Sequence, residues 1–310
     1  MKEIDIICAG ETLIDFIGNQ AERPISEIKD YHRYLGGSPT NVAVNMARLG
    51  CRTEMVASLG NDGFGDYIKR RLVENEVGLK GLQFLDGMPT TVIFVSRTQG
   101  TPEFIAMRGA DSGITEHQLP DELLKRARIF HTSCFALSKE PSRSTILDAA
   151  RRAANHGCTL SIDINYSEKI WPELDEAREA ITRYCKLGPV VKVSQDDIDR
   201  LFGLGRDHQE IFDHLHELGA KTVCLTLGKN GAKLSESGKK VLELSALKVE
   251  RIMDATGAGD AFWSGFLFAL LKGKDKQKCM EAALQMAAIK LQNVGRIPDY
   301  ADVISAVLKI

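Results

Sequence analysis

Along most of this 310-residue chain, short runs of apolar residues alternate with stretches in which apolar side chains recur every three or four positions. The short runs at 4–9, 53–58, 129–132, 159–164, 190–193 and 222–227 are bounded by polar or glycine-containing segments and read as buried strands. Helical spacing covers 40–49, 65–75, 142–156, 172–185, 209–218, 258–271, 276–293 and 300–308. Strands buried on both faces and separated by helices predict a doubly wound, mostly parallel α/β sheet. Two segments break the rhythm. Residues 90–96 and 103–107 flank Gln99-Gly100-Thr101-Pro102 in the manner of a hairpin, and residues 15–36 are polar and irregular. The expectation is a small β lid made of 15–36 and 90–109 on an α/β domain of 1–14, 37–89 and 110–310, with a plain edge hairpin as the alternative.

Composition narrows the class of protein. Hydrophobic residues make up 44% and charged residues 26%, which excludes disordered and fibrous chains. Lys and Arg total 40 against 42 Asp and Glu, without long runs of one sign. Such a surface lacks the broad electrostatic footprint that binds nucleic acid or an anionic membrane. The seven Cys are odd in number, scattered, and set mostly among aliphatic residues, so reduced core thiols are expected. His131 and Cys134 have the nearest thing to metal-ligand spacing, but they sit at a strand end and are expected to bind no metal. Met1-Lys2-Glu3-Ile4-Asp5 does not have the pattern of a signal peptide. The most apolar stretch, 261–271, includes Ser264 and Gly265 and is far shorter than the roughly 20 residues needed to span a bilayer. A cytoplasmic protein is expected.

The strongest chemical signal is Asp254-Ala255-Thr256-Gly257-Ala258-Gly259-Asp260, between an expected short strand and a strongly apolar helix. Small residues let the backbone turn tightly and approach a ligand, and the amides of Ala258, Gly259 and Asp260 open the helix with N–H groups aimed outward. That is an anion site at the positive end of a helix dipole. An Asp there would oppose a bound anion unless it serves as a base, taking a proton from an attacking hydroxyl while the amides hold a transferring phosphoryl group. A dinucleotide fingerprint fails because Phe262 stands where Gly or Ala is needed, and a P-loop fails for want of Gly-Lys-Ser/Thr. A tight strand-to-helix turn with no ligand is the remaining alternative. The second signal is Gly36-Gly37-Ser38-Pro39-Thr40-Asn41, a glycine pair running into a helix whose first turn carries an amide side chain. Together with Asp15 it suits a polyhydroxylated ligand.

The early Gly-Gly-x-x-x-Asn and the late Asp-x-Thr-Gly-Ala-Gly-Asp resemble the two signatures of the ribokinase-like (PfkB) carbohydrate kinases. Gly60-Asn61-Asp62-Gly63-Phe64-Gly65 and Thr226-Leu227-Gly228-Lys229-Asn230-Gly231 are similar to two further family turns, and the likeness covers the whole chain. The resemblance implies a ribokinase-like α/β fold with a β-sheet lid that clasps a homodimer, and phosphorylation of a sugar hydroxymethyl group by ATP with Mg2+. By position, Asp260 is implied as the base and Gly257, Ala258 and Gly259 as the anion hole. Asp15, Gly37, Asn41, Arg108, Glu140 and Asp163 are implied at the sugar, and Ser194, Thr226, Gly228, Gly231, Gly257 and Asn293 at ATP. Asp197 is implied to act on Mg2+ indirectly, although Ser194 replaces the family's Asn three residues earlier. Asp254, Thr256 and the backbone near Gly295 are implied around a monovalent cation, K+.

Substrate choice rests on less. The segments 36–41 and 136–143 look similar to the fructokinase and 5-dehydro-2-deoxygluconokinase branches, but Ser167 stands where Asp-x-Asn-x-Arg has its Arg. An acidic sugar needs a cation for its carboxylate, so the missing Arg favours a neutral hexose, fructose first. Arg108 or Lys169 could restore the charge for a keto-deoxygluconate. A sugar sensor without activity is the alternative of another class, and the retained Asp260 argues against it.

Overall fold

The computed structural model describes residues 2–98, 103–295, 297, 300, 301, 304 and 305. The first half of the chain runs β1 (Ile4–Ala9), β2 (Leu13–Ala21), β3 (Tyr31–Gly36), α1 (Ser38–Arg48), β4 (Thr53–Gly60), α2 (Gly63–Glu74), β5 (Gly78–Leu85), β6 (Val92–Arg97) and β7 (Phe104–Met107). Next come α3 (Asp121–Leu124), β8 (Ala127–Ser133), α4 (Ser142–Asn155), β9 (Thr159–Ile164), α5 (Leu174–Cys185), β10 (Val190–Ser194) and α6 (Gln195–Phe202). The chain continues through α7 (His208–Glu217), β11 (Thr222–Thr226), β12 (Ala232–Glu236), β13 (Leu242–Leu244), α8 (Ala258–Leu271) and α9 (Lys276–Leu291).

Nine strands form one sheet in the order β13-β12-β11-β10-β9-β8-β1-β4-β5, parallel from β5 to β11 with two antiparallel strands at the far edge. A separate sheet of four has the order β3-β2-β6-β7. Alternation along β1 sends Ile7 and Ala9 into a core covered by α4, α5, α6 and α7, and Ile6 and Cys8 into one covered by α1, α2, α8 and α9. The strand order reverses at β1, flanked by β8 and β4, and such a switch point opens a crevice beyond the carboxyl ends of the strands. All seven cysteines are buried and free. No helix among the described residues is long and apolar enough to cross a membrane.

Several elements escape the apolar pattern. The polar segment 15–36 holds β2 and β3, and its backbone pairs although its side chains carry little period. β5, β12, β13 and α6 were likewise not expected from periodicity; the three strands lie toward the sheet's two edges, where burial is partial. Residues 246–257 form neither strand nor helix, which corrects the expected short strand before Asp254. The expected turn at 99–102 lies outside the described residues, as does much of the expected helix 300–308.

Helix α8 is apolar nearly all round because it is enclosed between the sheet, α1 and α9. Trp263 stacks on Phe266 with ring centroids 4.8 Å apart, and its indole N–H donates to Ser161 Oγ on β9 at 2.9 Å. Gly265 lets α9 approach so closely that a Cβ there would stand 2.5 Å from the Ala282 carbonyl oxygen. At Gly63, the first residue of α2, nothing lies within 4 Å of the same position. Gly265→Ala is expected to lower unfolding stability by about 1–3 kcal/mol through overpacking, and Gly63→Ala to raise it by about 0.4–1 kcal/mol. Denaturant titration of the two variants checks this, and equal midpoints would contradict the close packing of α8 on α9.

Candidate active site

The two glycine-rich segments meet at Asp260. Ser38 Oγ donates to Asp260 Oδ1 at 2.6 Å, and Asn41 Nδ2 donates to Oδ2 at 2.8 Å. One turn further along both helices, Asn45 Nδ2 donates to Ser264 Oγ at 3.2 Å, so α1 and α8 are joined by two successive polar rungs. The loop leading into α1 is held from below by Glu11. Its buried carboxyl accepts from the Ser38 amide at 2.9 Å and from Ser133 Oγ at 2.6 Å. Gly37 adopts a φ of +101°, and a Cβ there would stand 2.3 Å from the Glu11 carbonyl oxygen, so this approach requires glycine.

Gly257 caps α8 in the left-handed region, with φ 75° and ψ 6°. The amide of Ala258 donates to the Ala255 carbonyl at 3.1 Å, which corrects the expectation of three free amides. Among the described residues those of Gly259 and Asp260 have no acceptor, so two N–H groups face the crevice at the helix's positive end.

Carboxylates crowd this spot. Asp15, on β2, lines the same cleft as Asn41, Asp254, Thr256, Gly257, Lys290 and Gly295. Burial, then the Asp260 and Asp254 carboxylates, pushes the Asp15 carboxyl up to about 7. Burial, then the Asp163 carboxylate, raises Asp260 to about 6, against the opposing hydrogen bonds of Ser38 and Asn41 and the charge of Lys192. The pattern of a base poised near neutrality is the one expected where a proton is to be taken.

Two lysines answer these charges, and both escaped the reading of the sequence. Lys192 and Asp163 are register partners on β10 and β9, and the Lys192 ammonium lies 2.9 Å from both Asp163 oxygens. The same ammonium stands 2.9 Å from where a Cβ of Gly259 would be, so it reaches the back of the glycine turn. A lysine amid the apolar run 190–193 was the available signal. Lys290, on the buried face of α9, pairs with Asp254 Oδ2 at 3.4 Å and donates to the Asn293 carbonyl at 3.1 Å. Burial holds its ammonium below the usual lysine range, with the Asp254 carboxylate opposing.

The other expected residues separate into those near the cleft and those committed elsewhere. Asp163 is buried with both oxygens on Lys192, so it meets the crevice through that ammonium rather than directly. Glu140 is exposed and accepts from the Ser144 amide in the first turn of α4, a capping role. Arg108 forks onto Asp111, donates to Ser138 Oγ and lies over Phe135 with its side chain 7% exposed. Thr226 ends β11, and Gly228 and Gly231 turn the chain into β12. Asn293 follows α9, its side chain donating to the Ile289 carbonyl at 2.9 Å. Ser194 and Asp197 form a capping box on α6, and burial first of all raises the Asp197 carboxyl to about 6.

A buried acceptor fixed by two donors beside two open amides can take a proton from a hydroxyl while stabilising a transferring phosphoryl group. Comparison with known proteins bears on which chemistry is involved. The family model described as pfkB family carbohydrate kinase matches residues 3–302. An ATP-dependent 6-phosphofructokinase of Thermoanaerobacterium thermosaccharolyticum is 34% identical, over 97% of this chain and 92% of its own. The solved structure of a Halothermothrix orenii fructokinase superposes with a TM-score of 0.78 at 32% identity, covering 95% of this chain and 100% of that one. A double mutant of Vibrio cholerae fructokinase, in its fructose-, ADP- and potassium-bound form, superposes with a TM-score of 0.85 at 26% identity, covering 99% of each chain. The chain thus belongs to the pfkB family of carbohydrate kinases and is an ATP-dependent sugar kinase, a phosphotransferase that acts on an alcohol group.

Proposed function

We propose that the protein phosphorylates fructose, with Asp260 as the general base. The observation that carries the base assignment is the clamp of Ser38 and Asn41 on Asp260 at the foot of α8. A primary hydroxyl oriented by Asp15 and Asn41 gives its proton to Asp260. Its oxygen attacks the γ-phosphorus of ATP as the bond from that phosphorus to the β,γ-bridging oxygen breaks and ADP leaves, and the Gly259 and Asp260 amides, with the Lys192 ammonium behind them, neutralise charge on the moving phosphoryl group. Thr226, Gly228 and Gly231 turn the chain where the nucleotide lies. Among the described residues no group of three or more His, Cys, Asp or Glu is arranged to hold a metal. Mg2+ bound with ATP would supply charge neutralisation at the phosphates, and Asp197 is the residue that would act on it indirectly.

A neutral sugar follows from where the cations are committed. Arg108 is spent on Asp111, and Lys169 donates to the Phe104 carbonyl at 3.0 Å beside that residue's ring. Arg108 is thus not free to meet a sugar carboxylate, whereas Lys169 is exposed and engaged only by a neutral carbonyl. A second reading, fructose 6-phosphate as acceptor, is favoured by Arg33. It lies 3.8 Å over the Tyr67 ring and lines a groove with Arg108 and Asp62, with no carboxylate partner among the described residues. The small sheet closes over the sugar as the lid, and its edge strand β7 carries exposed Ile105 and Met107, which suit a homodimer interface. A cytoplasmic location fits an ATP-consuming enzyme with seven free, buried cysteines.

Asp260→Asn is expected to lower kcat by about 10²- to 10⁴-fold while fructose binding by calorimetry survives; near-normal turnover would remove the base assignment. Because the base must be ionised, kcat/KM of the wild type should fall as pH drops through about 6 and level off above it. A coupled ADP-release panel of fructose, fructose 6-phosphate, 2-keto-3-deoxygluconate, 5-dehydro-2-deoxygluconate and ribose tests the acceptor. Fructose should give the highest kcat/KM; preference for fructose 6-phosphate, lost in Arg33→Ala, would replace it with the second reading. Light scattering should show a dimer at micromolar concentration, and a monomer would refute the clasp.

A further inference from the structure

The residues that the family resemblance places around potassium do converge. Asp254, Thr256, Gly257 and Gly295 line one cleft, and Asp254 is 1% exposed. One Asp254 oxygen is already taken, since Oδ1 accepts from the Thr256 amide at 2.9 Å. The other faces the Lys290 ammonium at 3.4 Å, which also reaches the Asn293 carbonyl at 3.1 Å. Lys290 is 5% exposed, so its charge is directed inward, and its Cε lies 3.7 Å from where a Cβ of Gly257 would be. A carboxylate oxygen and a main-chain carbonyl behind the anion hole are the oxygens a desolvated monovalent cation would bind. Here they receive N–H donors from a cation tethered to α9. A potassium ion at the same oxygens would confront a buried like charge, so the residues present do not fit it.

We propose that Lys290 is a built-in monovalent cation, its ammonium meeting Asp254 behind the anion hole so that this kinase needs no potassium. The buried Asp254 keeps a counter-charge at all times, and the turn from Thr256 to Gly257 is held without an exchangeable ion. The inference takes from the proposed mechanism only that residues 257–260 face the phosphoryl group.

Turnover and thermal unfolding of the wild type would be compared in potassium chloride and in tetramethylammonium chloride of equal ionic strength. The expected result is turnover equal within about twofold and an unchanged melting temperature. Lys290→Ala, with Lys290→Met as a variant that keeps the apolar stem, should lose roughly tenfold or more of kcat in tetramethylammonium. Potassium or ammonium should restore turnover and raise the melting temperature of these variants. Activation of the wild type severalfold by potassium, or a rise in its melting temperature with potassium alone, would overturn the proposal. So would folded Lys290 variants that no monovalent cation rescues. If the sugar assignment failed and no panel sugar turned over, the melting measurements would still decide the cation question.

Discussion

The need to compensate buried negative charge at the carboxyl end of the large sheet governs this structure. Asp15, Asp163, Asp254 and Asp260 lie close enough that Asp163 raises Asp260, and Asp260 and Asp254 raise Asp15. Taken from water without partners, such groups would protonate or unfold the site. Two carboxylates receive ammonium groups, Asp163 from Lys192 and Asp254 from Lys290. Asp260 receives two hydrogen bonds, and the Asp15 carboxyl has no hydrogen-bond or ion-pair partner among the described residues. Raised carboxyl values mean that the native state holds protons which the unfolded chain releases, so stability falls as pH rises from the ordinary value of 3.8 to about 6 to 7 and levels off above.

The hydrophobic packing keeps this arrangement rigid. An aspartate at a helix start is useful as a base only if the helix cannot shift, and α8 is fixed by an apolar surface on nearly every side. Its three hydrogen bonds to α1, through Asp260 and Ser264, are directional, so the same helix is held in place by packing and in rotation by hydrogen bonds. Glu11 extends the constraint to β1, tying the loop before α1 to the switch point of the sheet.

Legibility in the sequence followed burial. Strands 4–9 and 159–164 and helix 258–271 coincide with β1, β9 and α8, because each is buried strongly enough that apolar period alone marks it. The small sheet was harder. β2 and β3 carry Asn19, Gln20, His32 and Arg33, and main-chain pairing rather than side-chain burial defines them. At the site, the glycines and Asp260 could be read because the chemistry of a tight turn and a helix start is local. Glu140 and Asp163 could not be placed, because their partners, Ser144 on the next helix and Lys192 on the neighbouring strand, depend on three-dimensional pairing. Lys192 and Lys290 were overlooked for the converse reason. A lysine in an apolar run is an anomaly whose meaning appears only when a buried aspartate is found opposite it.

A net charge of −2 acquires a physical reading from these pairs. An enzyme that handles a polyphosphate with no cationic surface must gather positive charge locally, and each source has a different consequence. A helix N-terminus is permanent but carries only about half a charge. A metal ion is strong but arrives with the nucleotide and leaves with it. A bound monovalent cation contributes in proportion to its occupancy, which varies with its concentration outside. A tethered ammonium has no such dependence: once α9 is folded, its local concentration is set by the chain. The cost is desolvation of the lysine, which the Asp254 carboxylate and the Asn293 carbonyl offset together, so removing Lys290 or Asp254 would leave the other's charge buried without its counter-charge.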